Sequence, residues 1–125
     1  MSESSLKPIT ELIGVYNANG GLTGELAYVT GKLFGTAHCA LCDITHGWVS
    51  EKSAFKECKT SLDRPLKTLH INEQEADLAA FTANQTPCVV GRTEDGFVML
   101  LDAEALEACH KSVDAFRAAL DKALA

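Results

Sequence analysis

Two short apolar runs near the C-terminus constrain the fold more than any other feature of the sequence. One begins with Cys-Val-Val at residues 88–90, and the other is Phe-Val-Met-Leu-Leu at residues 97–101. Between them lies Thr-Glu-Asp-Gly at residues 93–96, and an Asp-Gly pair tolerates the positive φ angles of a tight hairpin turn. The segment therefore predicts two antiparallel strands, so we expect the protein to contain a β-sheet.

The rest of the chain predicts further strands that alternate with helices. Short apolar runs bounded by turn residues predict strands at residues 11–16, before a turn at 17–21, and at residues 66–71. Apolar residues that recur every three or four positions predict helices. These helices cover residues 22–34, 54–62, 75–81 and 106–124, with Ser50 and Asp102 as N-caps of the second and the last. The last segment fits one helix, or two helices with a break near Ser112.

The composition is that of one globular domain. The chain has 125 residues, of which 46% are apolar and 22% charged, and this fits a single core. We expect residues 1–9 to be a mobile polar lead-in and residues 10–125 to form the domain. An excess of 17 Asp+Glu over 11 Lys+Arg disfavours nucleic acid and anionic membranes as partners. The first residues lack the pattern of a secretory signal, so we expect a cytoplasmic location.

In its order of elements the chain resembles the thioredoxin superfamily. The resemblance rests on the strand–helix–strand opening, on Thr86-Pro87 before an apolar strand, and on a hairpin that leads into a C-terminal helix. It implies an α/β fold with a thioredoxin-like mixed sheet flanked by helices. It also implies a cis peptide bond at Pro87, because the family has a cis-proline before the corresponding strand.

The chain departs from the family in the position of its Cys-x-x-Cys motif. The family has this redox pair directly after the first strand, where residues 17–21 here read Asn-Ala-Asn-Gly-Gly and contain no thiol. The pair in this chain is Cys39 and Cys42, beyond the first predicted helix. We therefore expect a helical insertion that carries the Cys-x-x-Cys loop, and a continuous first helix would carry the pair away from Pro87.

The residues around these two cysteines are the most informative about chemistry. They read His-Cys-Ala-Leu-Cys-Asp-Ile-Thr-His, from His38 to His46. Thiolate sulfur and imidazole nitrogen bind zinc, and thiolates also attract copper(I). If Cys42 begins a helical turn, His46 lies one turn further on, and His38 approaches from the other side of the loop. We therefore predict a soft-metal site for zinc or copper. Its ligands would be Cys39 and Cys42 with His46 or His38, and a remote ligand such as His70.

Two other interpretations of the same segment are open. In the first, the chain is an atypical thiol–disulfide oxidoreductase that acts on a thiol partner protein, with Cys39 as the attacking thiol because it lies nearer the helix start. A helix N-terminus and a protonated histidine favour a thiolate, whereas the charge of Asp43 opposes it. In the second, both thiols stay reduced in a packed loop, and the protein is a non-catalytic interaction module.

A second candidate site lies at the ends of the predicted strands. Open α/β sheets bind ligands in the crevice at the strand ends, and Cys88 stands there beside the expected cis-proline. The candidate ligand crevice comprises Asn17, Asn19, Pro87 and Cys88. The alternative for Cys88 is a thiol packed in the core. Cysteines on apolar helical stripes are also expected in the core, namely Cys58 and Cys109.

Overall fold

A four-stranded mixed sheet with helices packed against it forms the described part of the protein. The structure, a computed structural model, describes residues 8–17, 40–45 and 52–124, without the side chains of Ala40, Cys42 and Asp43. The strands are β1 (Glu11–Val15), β2 (Leu66–Leu69), β3 (Cys88–Thr93) and β4 (Gly96–Leu101), in the sheet order β2-β1-β3-β4. β1 and β2 are parallel, whereas β3 is antiparallel to both β1 and β4. The prediction of an α/β fold with a mixed sheet is therefore confirmed.

The hairpin predicted from the Asp-Gly pair is also confirmed. Thr93 at the end of β3 pairs with Gly96 at the start of β4. Gly96 has a φ of +145°, a backbone conformation that side chains rarely allow, so glycine is required there. Ahead of the hairpin, the Thr86-Pro87 peptide bond is cis and Pro87 is buried. The expected cis-proline thus stands directly before β3.

β2 is shorter than predicted. It ends at Leu69 rather than at residue 71, and His70 is the N-cap of a short 3₁₀ helix at Ile71–Glu73. The chain turns here because Glu73 Oε1 accepts the backbone N–H of His70 at 2.7 Å, and that N–H is then not available to continue the sheet. His70 therefore stands just beyond β2 and not within it.

The described α-helices agree with the predicted order but not with every predicted end. They are α1 (Ala40–Thr45), α2 (Ser53–Ser61), α3 (Ala76–Thr82), α4 (Ala103–Glu107) and α5 (Val113–Leu124). The N-cap of α2 is Lys52, whose carbonyl accepts the N–H of Phe55 at 3.1 Å, so the prediction of Ser50 as this cap is wrong. The helix predicted at residues 22–34, the turn at 18–21 and residues 1–7 of the lead-in lie outside the described residues. Over the described ranges, no helix is both long and apolar enough to cross a membrane.

The C-terminal segment is two helices rather than one. The break between α4 and α5 contains His110 and Lys111, whose φ angles of 51° and 67° are incompatible with a continuous helix. Asp102 caps α4 as predicted, since its Oδ1 accepts the N–H of Ala105 at 2.8 Å. The apolar periodicity over residues 106–124 thus marks one buried face that two helices share.

Apolar side chains of the two central strands point to opposite faces of the sheet. On one face, Leu12 of β1 and Val89 of β3 pack against α1, α2, α4 and α5. On the other face, Ile13 and Val90 pack against Leu78 of α3. All five side chains are fully buried, so the helices cover the sheet on both sides. The first face also contains the two cysteines expected in the core, Cys58 and Cys109.

We expect Phe116→Ala to lower the free energy of unfolding by about 3–5 kcal/mol. Phe116 on α5 is fully buried and packs edge-on against Phe55, with 6.0 Å between ring centroids, so truncation leaves a cavity. Urea unfolding followed by circular dichroism measures the loss. Val98→Ala on β4 is the control, because Val98 is 36% exposed, and it should cost less than about 1 kcal/mol. Equal losses for the two variants would contradict the described core.

Candidate functional site

The carboxyl ends of the two parallel strands bring together polar side chains from distant parts of the sequence. β1 and β2 end side by side, with Val15 paired to Leu69. The next residues along the chain are Tyr16 and Asn17 after β1, and His70 after β2. Ligands of open α/β sheets bind at the carboxyl ends of the strands. The carboxyl ends of β1 and β2, with Tyr16, Asn17 and His70, are therefore the candidate functional site. We call this end of the strand pair the β1–β2 edge.

Helix α1 is fixed to the β1–β2 edge. Its last residue, Thr45, is buried, and Thr45 Oγ1 lies 3.1 Å from Tyr16 Oη. Leu41 and Ile44 of the same helix are buried in the core. Leu41 reaches the backbone of β1, because a Cβ placed on Gly14 would lie 3.1 Å from Leu41 Cδ2. The helix with the second cysteine of the motif therefore ends beside the first strand and not at a distance from the sheet.

A histidine held by a carboxylate lies at the same edge. The rings of His70 and Tyr16 are 5.2 Å apart, measured between centroids. Glu73 Oε1 accepts the backbone N–H of His70 and also lies 2.9 Å from His70 Nδ1. The hydrogen bond from the backbone N–H, and then that from the ring, hold the pKa of the Glu73 carboxyl below its ordinary value. Glu73 is therefore charged at neutral pH, and it orients the ring of His70 beside Tyr16.

The predicted metal ligands lie largely outside the described residues. His38, Cys39 and His46 are outside them, and of Cys42 only the backbone is described, as the third residue of α1. Within the ranges that the structure describes, no group of three or more His, Cys, Asp and Glu side chains is placed to hold a metal ion. The structure thus gives the position of the helix that carries the motif, and the soft-metal site stays a prediction.

The predicted ligand crevice is divided between the surface and the core. Asn17 is exposed, and its Oδ1 accepts a hydrogen bond from Thr86 Oγ1 at 3.0 Å. The next two residues, Pro87 and Cys88, are buried. Asn19 lies outside the described residues. The structure therefore brings Asn17 together with Thr86, while the Cys88 thiol does not reach the surface.

An open groove of about 560 Å³ begins at Asn17. Its walls come from the 3₁₀ helix, from α3 and from the turn before β3. The residues that line it are Asn17, Ile71, Gln74, Ala79, Thr82, Ala83, Asn84 and Thr86. These side chains offer amides, hydroxyls and apolar groups, and none of them carries a charge. The lining residues provide neither a thiol nor a general base, so the groove alone does not supply chemistry.

The Cys88 thiol is fully buried among apolar side chains. It belongs to the cluster that contains Ile13 and Leu78. This burial raises the pKa of the Cys88 thiol to about 11. Because the thiolate is the form that attacks disulfides and binds metals, Cys88 in this position acts as a core residue. Burial likewise raises the pKa of the thiols of Cys58 and Cys109.

Sequence reasoning missed part of the β1–β2 edge. Thr45 and Glu73 are not singled out by any motif, although both position a ring at this edge. The one signal for Glu73 is its spacing of three residues from His70, which is the spacing of a capping box. No sequence signal pairs Tyr16 with Thr45, because that contact depends on how α1 packs against the sheet.

Comparison with known proteins identifies no relative of this chain. Models of protein families, curated protein sequences and solved structures all gave no match. A functional interpretation therefore depends on the chain's own residues and their geometry.

We expect the buried Cys88 thiol to make stability fall at alkaline pH. Its pKa rises from 9.0 to about 11 on folding, so the folded protein binds more protons than the unfolded chain between these values. The free energy of unfolding therefore keeps its full value below about pH 9, and it falls by up to about 2 kcal/mol as the pH rises toward about 11. Urea unfolding at about pH 8 and about pH 10.5 measures this loss. Cys88→Ala should lose less than the wild type, and an equal loss would contradict the prediction.

We expect a coupling energy of about 1 kcal/mol between Tyr16 and Thr45. Tyr16→Phe and Thr45→Val each remove one hydroxyl of a buried contact at 3.1 Å. A double-mutant cycle, with unfolding free energies from urea titration, isolates the pair from the other effects of each substitution. Thr45→Ser is the control, because it keeps the hydroxyl and should retain most of the coupling. A coupling energy near zero would show that this bond does not hold α1.

Proposed function

We propose that this chain is a thioredoxin-like protein whose Cys39–Cys42 loop binds one soft metal ion, zinc or copper(I). The fold part of the proposal is supported by the order of elements. A parallel strand pair comes first, a hairpin follows directly after Pro87, and a helical segment ends the chain. The cis-proline before β3 agrees with the same resemblance.

The position of α1 is the observation that carries the functional part. The helix contains Cys42, and its buried residues Leu41, Ile44 and Thr45 tie it to the core and to Tyr16. A Cys-x-x-Cys loop attached to a fixed helix loses less freedom when its two sulfurs converge on an ion. The sequence places the motif at this helix, so the proposal needs no rearrangement of the described core.

The donor set supports a soft ion rather than a hard one. Two thiolates come from Cys39 and Cys42, and an imidazole comes from His46 or His38. Sulfur and nitrogen donors select zinc or copper over calcium or magnesium, which prefer oxygen. Zinc at this loop would serve a structural or sensing role, and copper would indicate metal handling. Reduced thiols of this kind fit a cytoplasmic location.

A thiol–disulfide oxidoreductase is the second candidate. The observation that favours it is the placement of the motif at the start of α1, with Cys42 as the third helical residue. Redox Cys-x-x-Cys pairs also lie at the start of a helix, and the first cysteine attacks the disulfide of a partner protein. If both cysteines prove silent in metal binding and in exchange, a non-catalytic interaction module is the remaining function.

We expect the protein purified without chelators to contain about one equivalent of zinc or copper per chain by elemental mass spectrometry. Cys39→Ser and Cys42→Ser should each lose this metal, because each removes one of the two thiolates. Cys109→Ser is the matched control, since Cys109 is buried in the core and its thiol bonds to the Ala105 carbonyl at 3.5 Å. A metal-free wild type would contradict the proposal, and so would full metal content in both Cys39→Ser and Cys42→Ser.

Disulfide reduction by the same preparations separates the second candidate from the first. An oxidoreductase should reduce a model disulfide in a metal-free state, and either cysteine variant should abolish that activity. A protein whose loop only binds metal should show little of this activity, even after its ion is removed.

A further inference from the structure

The outer edge of β4 is a place where the described sheet is open to another strand. β4 is the end strand in the order β2-β1-β3-β4, and it pairs with β3. Among the described strands, none lies on its other side. The backbone N–H and C=O groups of alternate residues in an end strand point away from the sheet, so this edge offers donors and acceptors to an incoming strand.

The sequence of β4 lacks the residues that normally protect such an edge. It reads Gly-Phe-Val-Met-Leu-Leu, with no charged residue and no proline. The strand at the other end of the described sheet, β2, contains the exposed Lys67. Edge strands commonly use lysine, proline or a bulge to prevent pairing with other chains. Of the two ends, β4 is therefore the one that can accept a strand.

A bulge limits the accessible part of β4 to residues 96–99. Met99 pairs with Val90 and Leu101 with Val89, so Leu100 is an extra residue in this ladder. A bulge bends its strand and interrupts regular pairing. Residues 96–99 precede it and pair with β3 in an unbroken register.

Apolar surface is exposed on this regular segment. The Val98 side chain is 36% exposed, which among the described large apolar residues only Ile71 exceeds. A Cβ placed on Gly96 would have no atom of the described chain within 4 Å, so there is also space at the start of the strand. An added strand would cover Val98 with a cross-strand neighbour and remove apolar area from water.

Negative charge flanks β4 at both ends. Four exposed acidic residues, two in the hairpin turn and two at the start of α4, are Glu94, Asp95, Asp102 and Glu104. The whole chain has a net charge of −6. Basic residues on both sides of an apolar strand would therefore be attracted to the two ends of this edge.

The same charges disfavour a second copy of this chain as the occupant. Two antiparallel β4 strands related by a two-fold axis would place the acidic turn of one chain beside the acidic start of α4 in the other. This contact between like charges would occur twice and would oppose association. Charge complementarity thus favours a basic partner.

We propose that residues 96–99 of β4 bind an extended segment of a partner protein as an added strand, with apolar side chains beside Val98 and basic residues at both ends. Main-chain hydrogen bonds supply affinity in this mode of recognition, and the side-chain pattern supplies specificity. The inference does not depend on the proposed function, because it uses no residue of the Cys39–Cys42 loop.

Fluorescence anisotropy with a labelled peptide tests the proposal on the full chain. The probe is Lys-Lys-Val-Thr-Val-Thr-Val-Lys-Lys, and we expect saturable binding to the wild type. The same peptide with N-methyl groups along its central residues cannot donate main-chain hydrogen bonds, and it should bind at least about 10-fold more weakly. A peptide with Glu in place of each Lys should also lose about 10-fold or more.

Variants of the protein connect this binding to β4. Val98→Lys places a positive charge on the edge and should weaken binding by at least about 10-fold. Thr60→Lys on α2 is the matched control, because it adds the same charge at another exposed position and should bind nearly as the wild type does. Asp95→Asn combined with Asp102→Asn keeps the turn and the α4 cap but removes their charges, so it should bind several-fold more weakly and with a smaller salt dependence.

The other outcomes would overturn the proposal. If the N-methylated peptide binds as tightly as the parent peptide, the attraction is electrostatic and no strand is added. If sedimentation shows a dimer that Val98→Lys abolishes, a second copy occupies the edge instead. Absence of binding to every peptide also contradicts the proposal. Circular dichroism checks the folding of each variant, and where Val98→Lys is unfolded, the combined Asp95→Asn and Asp102→Asn variant decides the result.

Discussion

Burial of β1 and β3 on both faces of the sheet is the constraint on which the rest of the structure depends. Leu12 and Ile13 are neighbours in sequence, point to opposite faces and are both fully buried. Because burial of each such side chain contributes about 1.5–3 kcal/mol, neither face can be left to solvent. Among the described helices, α3 covers one face and the others cover the second. The short helix α1 is therefore part of the core, with Leu41 against the backbone of β1.

The polar contacts at the β1–β2 edge set the exact position of α1, which apolar burial alone does not determine. Burial of Leu41 and Ile44 contributes several times the roughly 0.5–1.5 kcal/mol of one hydrogen bond, so it decides that α1 packs against the sheet. The hydrogen bond between the hydroxyls of Tyr16 and Thr45 then fixes the end of that helix relative to β1. A binding site needs positions held to within about 0.5 Å, and directional bonds supply that accuracy better than apolar packing.

The sequence predicts those parts of the fold that depend on neighbours along the chain. The hairpin and the Asp102 cap are of this kind. The end of β2 is not, because Ile71 continues the apolar alternation, whereas the hydrogen bonds between His70 and Glu73 turn the chain two residues earlier. The candidate site also has one part that the sequence predicts and one part that it does not. Spacing alone identifies the Cys39–Cys42 pair, whereas the place of His70 depends on the pairing of β1 with β2.

The Cys-x-x-Cys motif is displaced in sequence, but the helix that carries its second cysteine ends at β1. In the thioredoxin superfamily the thiols follow the first strand, and here Tyr16 stands after β1 and holds α1 through its hydroxyl. Under the proposed function, the second cysteine of the displaced motif would thus belong to a helix that packs against β1. Because a ligand that binds only the folded state stabilises it, metal binding and the packing of α1 would then reinforce each other.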